Sequence, residues 1–279
     1  DVALVYVGLD ELAESEGLDR PHMRLPDGQA ELIDAVVRAN PKTVIILSGG
    51  ASVEMPWAER VPALVHAHLG GQGGAGAVLD VLTGAVNPSG RLPMGFPRHE
   101  GQLPAAYDAH ENTGRPASRG GQMIEPAFDM GLDGPANLQE FFTSKYRDLP
   151  LGPRFGLGHG LSYTAFEYSG AALSRTTISL AELDAGEEVE VGATVINTGA
   201  RDGEDVVLLF TRDVLASLAP AVRRLAGFRR VSAPAFRLGR RHLALWDDDG
   251  AGWRVEPGDF EIRLGADPGA EPLVLTVTA

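Results

Sequence analysis

The sequence predicts an α/β domain built on a parallel sheet, followed by an all-β sandwich. Two observations carry that expectation. Before residue 101, continuous apolar runs at 2–7, 43–47 and 63–69 alternate with stretches whose apolar residues recur at helical spacing. After residue 170 the pattern switches to period two, with Val189, Val191, Ala193 and Val195 alternating against Glu188, Glu190 and Thr194. Strands alternating with helices imply right-handed crossovers and a parallel sheet. The chain has 279 residues, enough for two domains. We expect them at 1–165 and 170–279.

The first run, 2–7, ends at Gly8 and enters an acidic loop. There Glu11, Glu14, Glu16 and Asp19 crowd beside Arg20. Loops at the carboxyl ends of parallel strands line the ligand crevice of such sheets. Two readings stay open from residue types alone. One is a solvated loop with an Asp19/Arg20 surface pair. The other is a pair of nearby glutamates, one of which holds its proton near neutral pH and acts as a general acid.

Asp27 is the expected N-cap of the first helix, which carries Leu32, Ile33, Val36 and Val37 on one face and ends near Asn40-Pro41. The second strand closes at Ser48-Gly49-Gly50. The third leads into Gly70-Gly71-Gln72-Gly73-Gly74-Ala75-Gly76 and a second helix that Gly84 stops. Gly71, Gly73 and Gly76 formally fit a dinucleotide-binding turn, which makes a nucleotide-binding α/β protein one alternative. That pattern also needs an acid about twenty residues on, at the end of the next strand. The corresponding stretch, Val86 to Pro93, has none. Close helix–strand packing is the expected reason for these glycines. Residues 117–140 lack periodicity and read as an inserted surface loop. Beyond residue 170, further strands are expected at 206–210, 225–231, 242–246, 260–264 and 273–277. Asn197-Thr198-Gly199 supplies a turn. Some seven short strands of this kind fit an Ig-like sandwich.

Bulk properties exclude several classes. The formal net charge of −14 argues against nucleic acid and anionic membrane surfaces as partners. No run of apolar residues is long enough to span a bilayer. With no cysteine there is no disulfide and no thiolate chemistry. The seven histidines give no metal-ligand spacing; His66 and His68 read as core or crevice-wall residues. Asp247-Asp248-Asp249-Gly250 lacks calcium-loop spacing and reads as a hairpin turn. No cofactor and no metal are expected. Trp57 and Trp253 are not assigned to a binding site. The chain starts directly on a strand, so we expect it to be a piece of a longer polypeptide that begins upstream.

Several motifs add a resemblance. Ser15-Glu16-Gly17 with Arg20 and Leu25-Pro26, then Asn87-Pro88-Ser89-Gly90-Arg91-Leu92-Pro93, then Asn112-Thr113-Gly114-Arg115-Pro116, then Phe155-Gly156-Leu157-Gly158-His159-Gly160-Leu161-Ser162-Tyr163-Thr164 follow one another in order. The chain thus resembles the C-terminal part of glycoside hydrolase family 3, the β-glucosidases and β-xylosidases, and within it the periplasmic β-glucosidase branch. The likeness implies an α/β sandwich domain whose first strands are missing here, plus a fibronectin type III-like domain with landmarks at Leu225–Phe228 and Glu256–Gly258. It implies removal of a terminal β-linked glucose or xylose from an oligosaccharide or glucoside by a retaining mechanism. Carried over residue by residue, the acid/base is Glu16, with Glu14 the fallback; Arg20 is a weak substrate-binding candidate. The nucleophilic aspartate would lie on an N-terminal (β/α)8 barrel outside this chain, so this chain alone is expected to be inactive. A periplasmic or extracellular location is implied as well. One departure stands out: the family's glutamate after Gly-Gln is Gly73 here. The competing reading is a non-catalytic carbohydrate-binding or scaffold module.

Overall fold

A computed structural model describes residues 1–103, 152–218, 223–230, 235–248, 250, 252–265 and 271–279. The expected insert at 117–140, with its flanks at 112–116 and 142–146, lies outside the described residues. The described chain forms two compact units. The first takes in residues 1–88, 92–103 and 153–163; the second takes in 89–91, 152 and the described residues from 164 onward.

In the first unit, β1 (Ala3–Gly8), β2 (Thr43–Ser48) and β3 (Ala63–His68) form a parallel sheet in the order β1-β2-β3. Val5 pairs with Ile45, and Ile45 with Leu64. The α/β expectation is met. Helix α1 (Gln29–Ala39) buries Ile33 against Val5, Val7, Ile45 and Leu47. Phe96, Met55 and Trp57 complete that core, so Trp57 is a packing residue. On the opposite face of β1, Leu4 and Tyr6 stay exposed, and so does Val2 just before the strand.

Two expectations need correcting here. Asp27 is not the N-cap. Gly28 holds that position at φ 83°, with no side-chain cap, and its carbonyl accepts from Leu32 N–H at 3.0 Å. A turn closed by Gln29 N–H on the Pro26 carbonyl brings the chain in left-handed, a conformation that suits glycine. Of the glycines at the start of α2 (Gly74–Thr83), close packing explains Gly70 alone. A Cβ on Gly70 would meet Gly74 Cα at 2.7 Å, and Gly71 has φ 57°. Among the described residues, nothing lies within 4 Å of a Cβ on Gly73, Gly74 or Gly76. Gly84 does end α2, at φ 76°.

The second unit is strand-rich. A five-stranded sheet runs β5-β13-β12-β7-β8 and a three-stranded sheet runs β4-β6-β9. Their strands are β4 (Phe166–Leu173), β5 (Thr177–Ser179), β6 (Val189–Asn197), β7 (Val206–Asp213), β8 (Arg224–Arg230), β9 (Ala235–Leu238), β12 (Gly258–Leu264) and β13 (Leu273–Thr278). β10 (Leu245–Asp247) and β11 (Gly252–Arg254) make a separate hairpin. All pairings in the five- and three-stranded sheets are antiparallel except β13 with β5. Val189, Val191, Val207, Leu209, Phe260, Ile262, Leu275 and Val277 form one core with Phe236 and Leu238. The period-two residues therefore face inward as expected. The strand expected at 242–246 is instead a short helix, Arg240–Leu243, followed by β10. His242 Nδ1 accepts the Gly239 N–H at 3.0 Å and so starts that helix; burial holds this imidazole below its ordinary pKa, which keeps an acceptor nitrogen in place.

Asp205 leads into β7 and is 2% exposed. Arg91 makes an ion pair with it, through a contact from Nη2 and another from Nε at 3.2 Å. Tyr168 donates its hydroxyl proton to the other carboxylate oxygen at 2.6 Å, and the Val206 N–H adds a bond at 2.8 Å. Burial, with Asp205 beside it, pushes the Tyr168 hydroxyl well above the ordinary phenol range.

Candidate active site

The carboxyl end of β1 is shaped by close backbone contact. A Cβ on Gly8 would fall 2.0 Å from the Ser48 carbonyl oxygen, so only glycine fits beside β2 at this level. The Gly8 N–H and C=O are both taken by the Gln29 side chain, at 2.8 and 3.0 Å. Leu9 N–H then bonds the Ser48 carbonyl at 3.0 Å. The chain next makes a tight turn: Asp10 accepts from Ala13 N–H through its side chain and from Glu14 N–H through its carbonyl, at 2.8 and 3.0 Å.

The structure separates the two glutamates that spacing alone left equivalent. Glu14 turns inward to the loop leaving β2. The Gly50 N–H is shared between its two oxygens at 3.0 and 2.9 Å, and the Ala51 N–H donates to Oε1 at 2.7 Å. Glu16 is exposed, and among the described residues no side chain bonds its carboxylate. Gly17 follows at φ 77°, a left-handed turn residue, and Leu18 N–H closes back on the Ser15 carbonyl at 3.3 Å. Arg20 does not pair with Asp19. Its guanidinium reaches the carbonyls of Ser52 and His22 at 3.3 and 3.4 Å. Glu11 is exposed.

Below the loop, His66 and His68 lie with ring centroids 3.9 Å apart. Burial, and then the neighbouring His68, lower the pKa of His66, whose Nδ1 sits 3.2 Å from the Leu47 carbonyl. A neutral imidazole is the consequence near pH 7. His68 is the one non-glycine among the described residues with positive φ, at 50°, where the ladder between β2 and β3 shifts register. Beside Arg20, a cleft of about 470 Å³ is walled by His22, Met23, Ser52, Met94 and Glu100. Its lining is mostly apolar, and His22 Nδ1 is buried there with no bonding partner among the described residues.

The residues that hold this site were not evident from side-chain motifs. Gly50 and Ala51 act through backbone N–H groups, and the signal available was only a glycine pair directly after a strand. Met23 N–H bonds Glu100 at 3.4 Å, and Glu100 N–H bonds the buried Glu54 at 2.5 Å; no spacing in the sequence links those positions. The Asn87 of the Asn-Pro-Ser-Gly-Arg-Leu-Pro motif accepts from Ser162 and from Tyr163 N–H, each at 2.8 Å, which fixes the glycine-rich turn.

Comparison with known proteins bears on the family and on the fold of each unit. Residues 1–163 match the glycosyl hydrolase family 3 C-terminal domain, and residues 205–267 match the fibronectin type III-like domain. Thermostable beta-glucosidase B of Acetivibrio thermocellus is 34% identical over 273 residues, covering 95% of this chain and 33% of that protein. Probable beta-glucosidase J of Neosartorya fischeri is 36% identical, covering 94% of this chain and 30% of that protein. Among solved structures, the beta-glucosidase from Listeria innocua in complex with glucose superposes with a TM-score of 0.84 at 27% identity, covering 100% of this chain and 37% of that one. The chain thus spans about a third of the length of the relatives it matches. It belongs to glycoside hydrolase family 3, of which it is the C-terminal part.

Proposed function

We propose that this chain supplies the acid/base glutamate, Glu16, to a retaining, exo-acting β-glucosidase or β-xylosidase. The observation that carries the reading is the contrast at the loop: Glu16 stands exposed on a turn held at both sides, at the carboxyl end of parallel strands, while Glu14 is occupied. Two carboxyl groups about 5–5.5 Å apart are required for retention. One attacks the anomeric carbon. The other protonates the departing oxygen, then takes a proton from water as the glycosyl–enzyme ester is cleaved. In this proposal the attacking aspartate belongs to a barrel elsewhere in the same polypeptide, and the substrate is a β-linked oligosaccharide or glucoside. A periplasmic or extracellular location belongs to the same proposal, by likeness to the exported branch; fractionation of host cells checks it.

Glu16→Gln in the full-length enzyme tests the assignment. Hydrolysis of glucosides with poor leaving groups should fall about 10²–10⁴-fold. Nitrophenyl β-glucoside needs little protonation, so the glycosyl–enzyme should still form and then persist. Azide needs no general base and should restore turnover, giving a β-glycosyl azide. Azide rescue of a Glu14 variant instead would move the assignment by two residues. The 279-residue chain alone should release nitrophenol far below about 1 s⁻¹, near the low end for enzymes; turnover at that level would place a full site within it.

A further inference from the structure

Glu14 lies two residues before the candidate acid, and both of its oxygens already accept from backbone N–H groups of another loop. Oε1 takes two of these contacts and Oε2 the shared Gly50 N–H, so the carboxylate is turned onto that loop and held there. We infer that Glu14 is a positioning residue, which fixes the place of Glu16 by gripping the Gly50–Ala51 turn; the inference rests on Glu16 being the acid/base.

The geometry supplies the reason. The segment between Gly8 and Arg20 is fastened at a few points only. Gln29 holds Gly8, and Asp10 closes the turn up to Glu14. The Glu14 carboxylate then ties the segment to Gly50 and Ala51, and Arg20 ties it to Ser52. Glu16 therefore sits on a short span strung between two anchors that grip consecutive residues of the same β2 loop. The Arg20 anchor is weak, with contacts at 3.3 and 3.4 Å to neutral carbonyls. Both anchors involve a charged group, but the Glu14 anchor is the stronger, with its contacts at 2.7 to 3.0 Å. Within the span, Gly17 at φ 77° makes a pivot that can swing when an anchor is lost. A displacement of about 1 Å in a catalytic group can cost about 10² in rate. A carboxyl that must reach first a glycosidic oxygen and then a water is sensitive to that.

The test uses the full-length enzyme with Glu14→Ala, Glu14→Gln, Glu16→Ala and the Glu14→Ala/Glu16→Ala double variant. Steady-state rates are taken on nitrophenyl β-glucoside and on a glucoside with a poor alkyl leaving group. Glu14→Ala should lower kcat by about 10–10² with KM little changed, more for the alkyl glucoside, and azide should not rescue it. Glu14→Gln keeps one acceptor oxygen and should recover part of the loss. In the Glu16→Ala background, Glu14→Ala should change kcat less than about twofold, because groups that act as a unit are not additive. An equal loss in both backgrounds would make Glu14 a general support of the fold and overturn its positioning role. Azide rescue of Glu14→Ala would make it the acid itself and overturn the role equally. A harmless Glu16→Ala would instead remove the acid/base reading on which the inference rests. Thermal midpoints of all four proteins show which losses reflect unfolding, and the Gln variant keeps the test open if the Ala variant does not fold.

Discussion

Two carboxylates organise this chain, one in each unit, and they are held in opposite ways. Glu14 is half-buried and, among the described residues, its carboxylate accepts from the backbone N–H groups of Gly50 and Ala51. Asp205 is buried and meets a full positive charge from Arg91, a phenolic donor from Tyr168 and one N–H. The difference follows from solvation. A carboxylate near water keeps part of its hydration, so neutral dipoles suffice. One removed from water carries a desolvation cost of several kcal/mol and needs a counter-ion with every lone pair satisfied. The first arrangement can be released and re-formed at modest cost. The second cannot. The first suits a loop that carries chemistry, the role proposed for it, and the second suits a sandwich that stays rigid.

The largest effect should come from the buried centre. Asp205→Ala removes the carboxylate that the Arg91 guanidinium and the Tyr168 hydroxyl both contact, and breaking a buried pair costs about 3–5 kcal/mol. Urea unfolding of the chain followed by circular dichroism measures it. A loss under about 1 kcal/mol, the worth of a surface pair, would show that Asp205 behaves as an exposed carboxylate. Gly8→Ala comes next. A Cβ 2.0 Å from the Ser48 carbonyl must push β1 and β2 apart, at a cost of about 1–3 kcal/mol, the range for overpacking. If Gly8→Ala is neutral, the strands are looser than their register implies.

Glu14→Ala should destabilise the chain less, by about 1–2 kcal/mol, since hydrogen bonds to a charged group are lost where water can replace them. A loss equal to that of Asp205→Ala would erase the contrast between the two sites. The smallest effect concerns alkaline pH. The Tyr168 hydroxyl is raised in the folded chain, so the unfolded chain releases this proton first. Its contribution is present below about pH 10, the ordinary phenol value, and declines as pH rises above it. Tyr168→Phe should therefore flatten the fall in stability above that pH, relative to the parent chain.

How much of this the sequence carried depends on the range of the forces involved. β2 was legible because a strand buried along most of its length is a continuous apolar run; β1 and β3 carry the same kind of run, although Leu4 and Tyr6 of β1 are exposed and β3 is only partly buried. Helix α1 was legible from the spacing of Ile33, Val36 and Val37, but its first residue was not. Asp27 has a good capping side chain, and the turn on Pro26 overrode it. In the second unit, β6, β7, β12 and β13 announced themselves by alternation, whereas β5, β9 and β11 are only three or four residues long and show no period. The helix at Arg240–Leu243 was hidden because one side chain, His242, starts it. The site was half legible. The acidic loop was found, yet Glu14 and Glu16 differ only in what they meet, and the partner of Glu14 lies 36 residues away and contributes nothing but peptide nitrogens. Asp205 gave a faint sign, an acid directly before the apolar run of β7; its partner Arg91 is 114 residues distant.

Gln29 adds a consequence of a different kind. Its amide does for Gly8 what a neighbouring peptide unit would do, donating to the carbonyl and accepting from the N–H. Peptide bonds last for the life of a protein in solution, whereas side-chain amides slowly hydrolyse. Conversion of Gln29 to glutamate would leave its acceptor role intact and set an oxygen against the Gly8 carbonyl in place of a donor. The entry to the acidic loop is thus subject to chemical ageing. Stored or heated enzyme should lose activity in step with deamidation at this residue, as peptide mass mapping would follow, and Gln29→Glu should reproduce the aged state at once. Ageing that leaves Gln29 intact while activity falls would place the weak point elsewhere.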